Sequence, residues 1–176
     1  MKKLTASEAK DYARERFKRL PELYAQWNFL HSSYIIKALK ELTLQETVKD
    51  KLQALAWVHD IGKIEGDEHH PEKGLKILDN EFILDEVDKD CILNHGSGSK
   101  PTTPEGKLFR NADGLSLFYP EMILFMTHWE AKEKSTFEQI KEKMKKQYEK
   151  YSLAYKDNPR ALKLLREKYE AILEDK

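Results

Sequence analysis

Apolar positions recur at helical spacing along most of the chain and β-branched alternation is nearly absent, so the pattern predicts an all-α protein. Thr5 and Glu8 have the spacing of a capping box and open a helix over 5–20 that ends before Pro21. Further helices are predicted over about 28–42 and 47–61. Pro71 sits where a first-turn proline belongs, in a helix reaching about Leu78, and Asp85–His95 forms another. Residues 96–106, crowded with glycine, serine, threonine and proline, read as a loop. Helices resume over about 107–117 and after Pro120. From about Glu130 the chain is Lys/Glu-rich and helical, broken near Asp157-Asn158-Pro159, and reads as a solvated hairpin packed on the rest. The expected organisation is a single domain over 1–176, a helical bundle. It has an N-terminal helix at 5–20, a core over about 28–118 and a C-terminal helical extension over about 121–176.

The same register places histidines on apolar faces. His31 shares a stripe with Ile35, Ala38, Leu39 and Leu42, and His59 with Leu52, Leu55 and Ala56. His70 lines up with Gly74, Ile77 and Leu78, and His95 follows Leu84, Val87 and Cys91. One inward histidine is ordinarily a satisfied core residue. Four of them, with Asp60 beside one and Asp113 further on, demand a common partner, because a buried carboxylate needs a cation or strong donors. All seven glycines lie between Gly62 and Gly114, and Asp60, His95 and Asp113 each stand just before one. Glycine commonly ends helices, so these side chains are expected at helix ends that converge on one polar point. Imidazole mixed with carboxylate favours Mn, Fe, Co, Ni or Zn, with Mg compatible.

Composition narrows the picture. Lys plus Arg and Asp plus Glu both number 31 in 176 residues, which argues against a general nucleic-acid or acidic-membrane surface. The one cysteine, Cys91, excludes an internal disulfide and reads as a buried, unreactive thiol. No apolar run approaches the length of a membrane span and the N-terminus has no signal-peptide pattern, so a cytoplasmic protein is expected. Trp27, Trp57 and Trp129 fit helix packing better than base stacking, and His128 reads as structural.

His31, then His59-Asp60-Ile61-Gly62-Lys63, then Ala112-Asp113-Gly114-Leu115 resemble the ordered H…HD…D signature of the HD-domain phosphohydrolases. The stretch from His70 through Gly74 to Leu78 and the segment Ile92-Leu93-Asn94-His95 resemble that family's intervening histidine segments; the resemblance covers about 28–118. It implies one divalent ion held by His31, His59, Asp60 and Asp113. His70 and His95, with His69 as a further candidate, would bind a second ion or the substrate phosphate. One ion or two is left open. The segment following His95 loosely resembles the loop of the branch that cleaves dinucleoside polyphosphates, and the Gly-Tyr-Pro element of cyclic-di-GMP esterases is absent.

The function so implied is metal-dependent hydrolysis of a nucleotide or related small phosphate ester by an activated water. Asp60 acts as ligand alone or also as proton acceptor, and Lys63 as a phosphate contact. Lys100 and Arg110 flank the loop and are weaker substrate-binding candidates, more readily read as surface cations. A di-iron oxygenase on a similar scaffold, and a non-catalytic module binding metal or ligand, are the competing readings. The substrate is left unnamed, and a homo-oligomer is compatible with everything above.

Overall fold

The computed structural model describes residues 2–44, 49–132 and 136–174. Among them the architecture is all helical: α1 (Ala6–Phe17), α2 (Glu22–Thr43), α3 (Asp50–Val58), a 3₁₀ turn (Ile61–Glu65), α4 (His70–Asp79) and α5 (Glu86–Leu93). Then come α6 (Pro104–Ser116), α7 (Pro120–Lys132), α8 (Phe137–Ala154) and α9 (Pro159–Glu174). None of these helices is long and apolar enough to cross a membrane.

Local chemistry sets most boundaries. The Thr5 hydroxyl caps α1 by accepting the Glu8 N–H, and Asp85 with Asp88 forms a complete capping box on α5. Pro21 both stops α1 and starts α2, so α2 begins at Glu22 and not near Asn28 as the periodicity suggested. The predicted start of α3 at Thr47 lies outside the described residues, and α3 ends at Val58, with Asp60 already turned out of helical geometry (φ −93°, ψ 8°). The loop after His95 is shorter than expected, because α6 opens at Pro104 with Thr103 as its cap. Gly106 obscured this start. It is needed inside the first turn because a Cβ there would lie 2.2 Å from Oδ2 of Asp90. Asp90, buried beneath, accepts from the Thr102 and Thr103 amides and the Thr103 hydroxyl, pinning the loop to α6.

The apolar stripes close as predicted: Ile35, Ala38, Leu39, Leu52, Leu55 and Ala56 are all buried. Helix α1 packs on α3 through Ala9, Ala13 and Phe17, α2 lies against α3 and α6, and α4 sits on the 3₁₀ turn and α5. The C-terminal hairpin of α8 and α9 joins the same core. Tyr151, Tyr155, Ala161 and Leu165 are buried there, and the Tyr155 hydroxyl donates to the Asn111 carbonyl at 2.6 Å.

Gly114 corrects the expectation that it ends a helix. It lies within α6, and a Cβ on it would fall 2.1 Å from the Tyr151 ring and 2.3 Å from the Tyr155 hydroxyl. Its purpose is close approach between α6 and α8. Gly114→Ala should therefore cost about 1–3 kcal/mol in urea unfolding, the usual range for overpacking. Gly98→Ala, where a Cβ meets nothing within 4 Å, should change stability by less than about 0.5 kcal/mol.

Candidate metal centre

Five backbone elements deliver six polar side chains to one point. His31 comes from the middle of α2, His59 from the C-cap of α3 and Asp60 from the next residue. His70 opens α4, His95 follows α5, and Asp113 lies within α6. In a continuing helix His59 and Asp60 would diverge by about 100°; the 3₁₀ turn redirects the chain so that both point inward. Gly62 then lets α4 approach, since a Cβ on it would fall 1.9 Å from the His70 carbonyl oxygen. His69 takes a left-handed backbone (φ 54°) at the entry to α4.

Nδ1 of His59, His70 and His95 lies 2.7–3.0 Å from the backbone carbonyl three residues earlier, that of Ala56, Asp67 and Ile92 respectively. The carbonyls of Ala56 and Ile92 lie in the last turns of α3 and α5, where helix ends leave them without intrahelical partners, and that of Asp67 lies in the turn before α4, so the ring N–H donates to them. His31 sits mid-helix and uses another device. Ser116 Oγ donates to the Asp113 carbonyl at 2.6 Å and accepts from His31 Nδ1 at 2.8 Å. All four Nδ1 protons are thereby committed, and in the neutral rings all four Nε2 atoms present lone pairs to the centre.

Those lone pairs face other lone pairs. His31 Nε2 lies 3.0 Å from Asp113 Oδ1, and His59 Nε2 lies 3.2 Å from Asp60 Oδ2 and 3.5 Å from Asp113 Oδ1. On the other side Asp60 Oδ1 stands 3.1 Å from His70 Nε2 and 3.6 Å from His95 Nε2, which are 3.0 Å from each other. His31, His59, Asp60, His95 and Asp113 are at most 6% exposed, and His59 Nε2 has no hydrogen-bond partner among the described residues. Two buried carboxylates meet one ammonium, Lys63 Nζ at 2.7 Å from Asp60 Oδ2. This set is short of positive charge and rich in donor atoms, and it fits a divalent cation. The ligand atoms of His31, His59 and Asp113 lie within 4.8 Å of one another, as do those of His59, Asp60 and His95.

Electrostatics say the same. Burial opposes charge on both carboxyls, yet His59 and Lys63 hold that of Asp60 well below its usual range, and His31 and His59 do so for Asp113. Burial also disfavours a charged His59, but Asp60 and Asp113 outweigh it and push the ring up to about 9. Burial, with His59 nearby, lowers His95 to about 4.

The HD domain family model matches residues 28–117, just over half of the chain. The chain belongs to the HD domain family. The match spans all six residues of the cluster. HD domains bind divalent metals, and the buried His/Asp cluster suits that family trait. No curated protein and no solved structure matches the chain.

The remaining predicted site residues lie elsewhere. His69 is exposed beside Glu68 and is not brought into the HD cluster. Lys100 is exposed on the loop. Arg110 donates to the Ser99 carbonyl and, at 2.7 Å, to that of Ala154, so its guanidinium ties the loop to the end of α8. His128 is exposed on α7, and the Cys91 thiol is buried and pushed far up by its surroundings. Sequence reasoning missed Ser116, whose signal was its place one turn after Asp113 on the same helix face.

Without metal, a proton on His59 takes the cation's place between the carboxylates. Because its folded value is raised from 6.5 to about 9, this stabilisation is fully present below pH 6.5 and lost as pH rises through about 9. Thermal melts of chelator-treated protein should show the midpoint falling across that window. Metal-loaded protein should lose this dependence, and a flat profile in the metal-free protein would contradict the assignment.

Proposed function

We propose that this chain is a metal-dependent phosphohydrolase, cleaving a nucleotide or related small phosphate ester with water. The observation that carries the reading is the convergence of four imidazole lone pairs and two carboxylates on one buried point. His31, His59, Asp60 and Asp113 would hold one ion. Asp60 turns one oxygen toward His31 and His59 and the other toward His70 and His95, so those two rings would take a second ion or the substrate phosphate. A divalent cation bound there supplies Lewis acidity and a water that ionises near neutral pH.

The chain's own residues do the rest. The anchored Nδ1 protons keep the ligand rings in orientation without reorganisation. Asp60, held ionised, is competent as a ligand. Lys63 is partly exposed above the cluster, where its ammonium can meet a phosphate oxygen. The sharing of Asp60 between two sets of imidazoles also suits a di-iron oxygenase, which supports that as the second reading.

The test measures phosphate release from a panel of nucleotides and simple phosphate esters with Mn, Mg, Fe, Co, Ni and Zn, together with dioxygen uptake by the iron-loaded protein. Asp60→Ala should lower turnover by roughly a thousand-fold or more, and Lys63→Ala should lower kcat/KM by about ten- to a hundred-fold. Activity surviving Asp60→Ala would sink the reading. Dioxygen consumption without phosphate release would install the oxygenase in its place.

A further inference from the structure

Four large aromatic side chains gather beside the metal centre. Trp27 stands one helical turn before His31 on α2, and its ring runs parallel to the His31 ring within 7° at 6.1 Å between centroids. Phe125 and Trp129, one turn apart on α7, contact Trp27 at 5.9 and 6.2 Å, and Tyr24 meets Trp129 at 5.5 Å. All four residues lie outside residues 28–117, the segment matched by the HD domain, Tyr24 and Trp27 just before it and Phe125 and Trp129 on α7 after it, so the group belongs to what this chain adds to the domain.

Core packing accounts for Trp27, which lies against the buried core, but not for the other three. None of the four residues is buried, and among the described residues Tyr24, Phe125 and Trp129 are not packed against the buried core. Some rings of the core, such as Phe109, Phe118, Tyr119 and Tyr155, are shut from water, and others, such as Phe29 and Tyr34, are partly buried but packed against it. Trp57, the third tryptophan, is 7% exposed against Phe29. The outlying rings form instead a partly solvated wall whose edge is a metal-site histidine.

The wall is also tied to the other side of the centre. The Tyr24 hydroxyl bonds the Asp67 carboxylate, and the Asp67 carbonyl takes the His70 Nδ1 proton. Lys63 Nζ lies 5.9 Å from the Tyr24 ring centroid while it pairs with Asp60. A planar apolar surface thus adjoins an ammonium and a cation-binding cluster. A ligand complementary to all three carries a flat π system at one end and a phosphate at the other, with a short linker between. That describes a nucleotide. Stacking on such a wall contributes about 1–3 kcal/mol per base and tolerates any base.

We propose that Tyr24, Trp27, Phe125 and Trp129 form the base-binding wall of the site and make it selective for nucleotides over simple phosphate esters. The proposal rests on the phosphohydrolase reading for its account of the phosphate, and on the ring geometry for its account of the base.

The experiment separates the two. In the Trp57→Phe protein, Trp27 and Trp129 are the remaining tryptophans, and their fluorescence is titrated with adenosine, adenosine monophosphate and ribose 5-phosphate. Adenosine has no phosphate, so its binding reports the wall alone. Saturable quenching by adenosine and by the monophosphate is expected. Calorimetry on Phe125→Leu and Trp129→Leu, which keep apolar bulk and remove the π face, should show monophosphate affinity weakened about ten-fold. The preference for the monophosphate over ribose 5-phosphate should fall by the same factor. Melting curves for both variants exclude misfolding as the cause. Absence of quenching, or unchanged affinity in both leucine variants, overturns the wall and leaves the hydrolase reading intact. Quenching without phosphate release supports the wall and removes the hydrolase reading.

Discussion

Asp60 and Asp113 are carboxylates closed off from water among imidazole nitrogens that present no protons, and the middle of the fold is organised around that constraint. Such an arrangement is unfavourable unless positive charge enters it. Lys63 supplies one charge, and His59 supplies a second when protonated. A divalent cation satisfies the same oxygens and also uses the Nε2 lone pairs that a proton would leave facing one another. The buried cluster therefore fits a divalent cation, whose place between the carboxylates is taken by the His59 proton in its absence.

The way the rings are fixed explains why the ligands sit where they do in the chain. His59 and His95 follow the last turns of α3 and α5, where carbonyls not used by the helix accept their Nδ1 protons, and His70 opens α4 and uses the Asp67 carbonyl of the preceding turn. His31 lies mid-helix, where the carbonyls are already occupied, and borrows Ser116 from α6. That one contact joins α2 to the helix carrying Asp113. It couples the orientation of a ligand to the packing of two helices distant in sequence.

Close backbone approach completes the arrangement. Gly62 admits α4 beside the 3₁₀ turn and so brings His70 against Asp60, while Gly114 admits Tyr151 and Tyr155 behind Asp113. The C-terminal hairpin, which looks like a solvated appendage from its Lys/Glu content, thereby buttresses the helix that presents a ligand. Helix α7 contributes in a different manner, by placing Phe125 and Trp129 against Trp27 next to His31.

The helical class, the inward direction of His31, His59, His70 and His95, and the ordered motif were all legible in the sequence, because each follows from local periodicity or spacing. Glycine placement marked the right region, but for Gly114 it suggested a helix end where the structure shows a helix contact. His69 illustrates the limit of spacing: it adjoins His70, yet the turn that starts α4 leaves it exposed. Arg110 and Trp129 show the same limit, since tying Ser99 to Ala154, or joining α2 to α7, is invisible until distant elements meet. The sequence by itself determined which histidines and aspartates face inward, since residue identity and helical register are local properties. Only the tertiary structure decided how Asp60 divides its oxygens, where each Nδ1 proton goes, and what surface borders the metal centre. Those are distances between elements, and register along one helix contains no information about them.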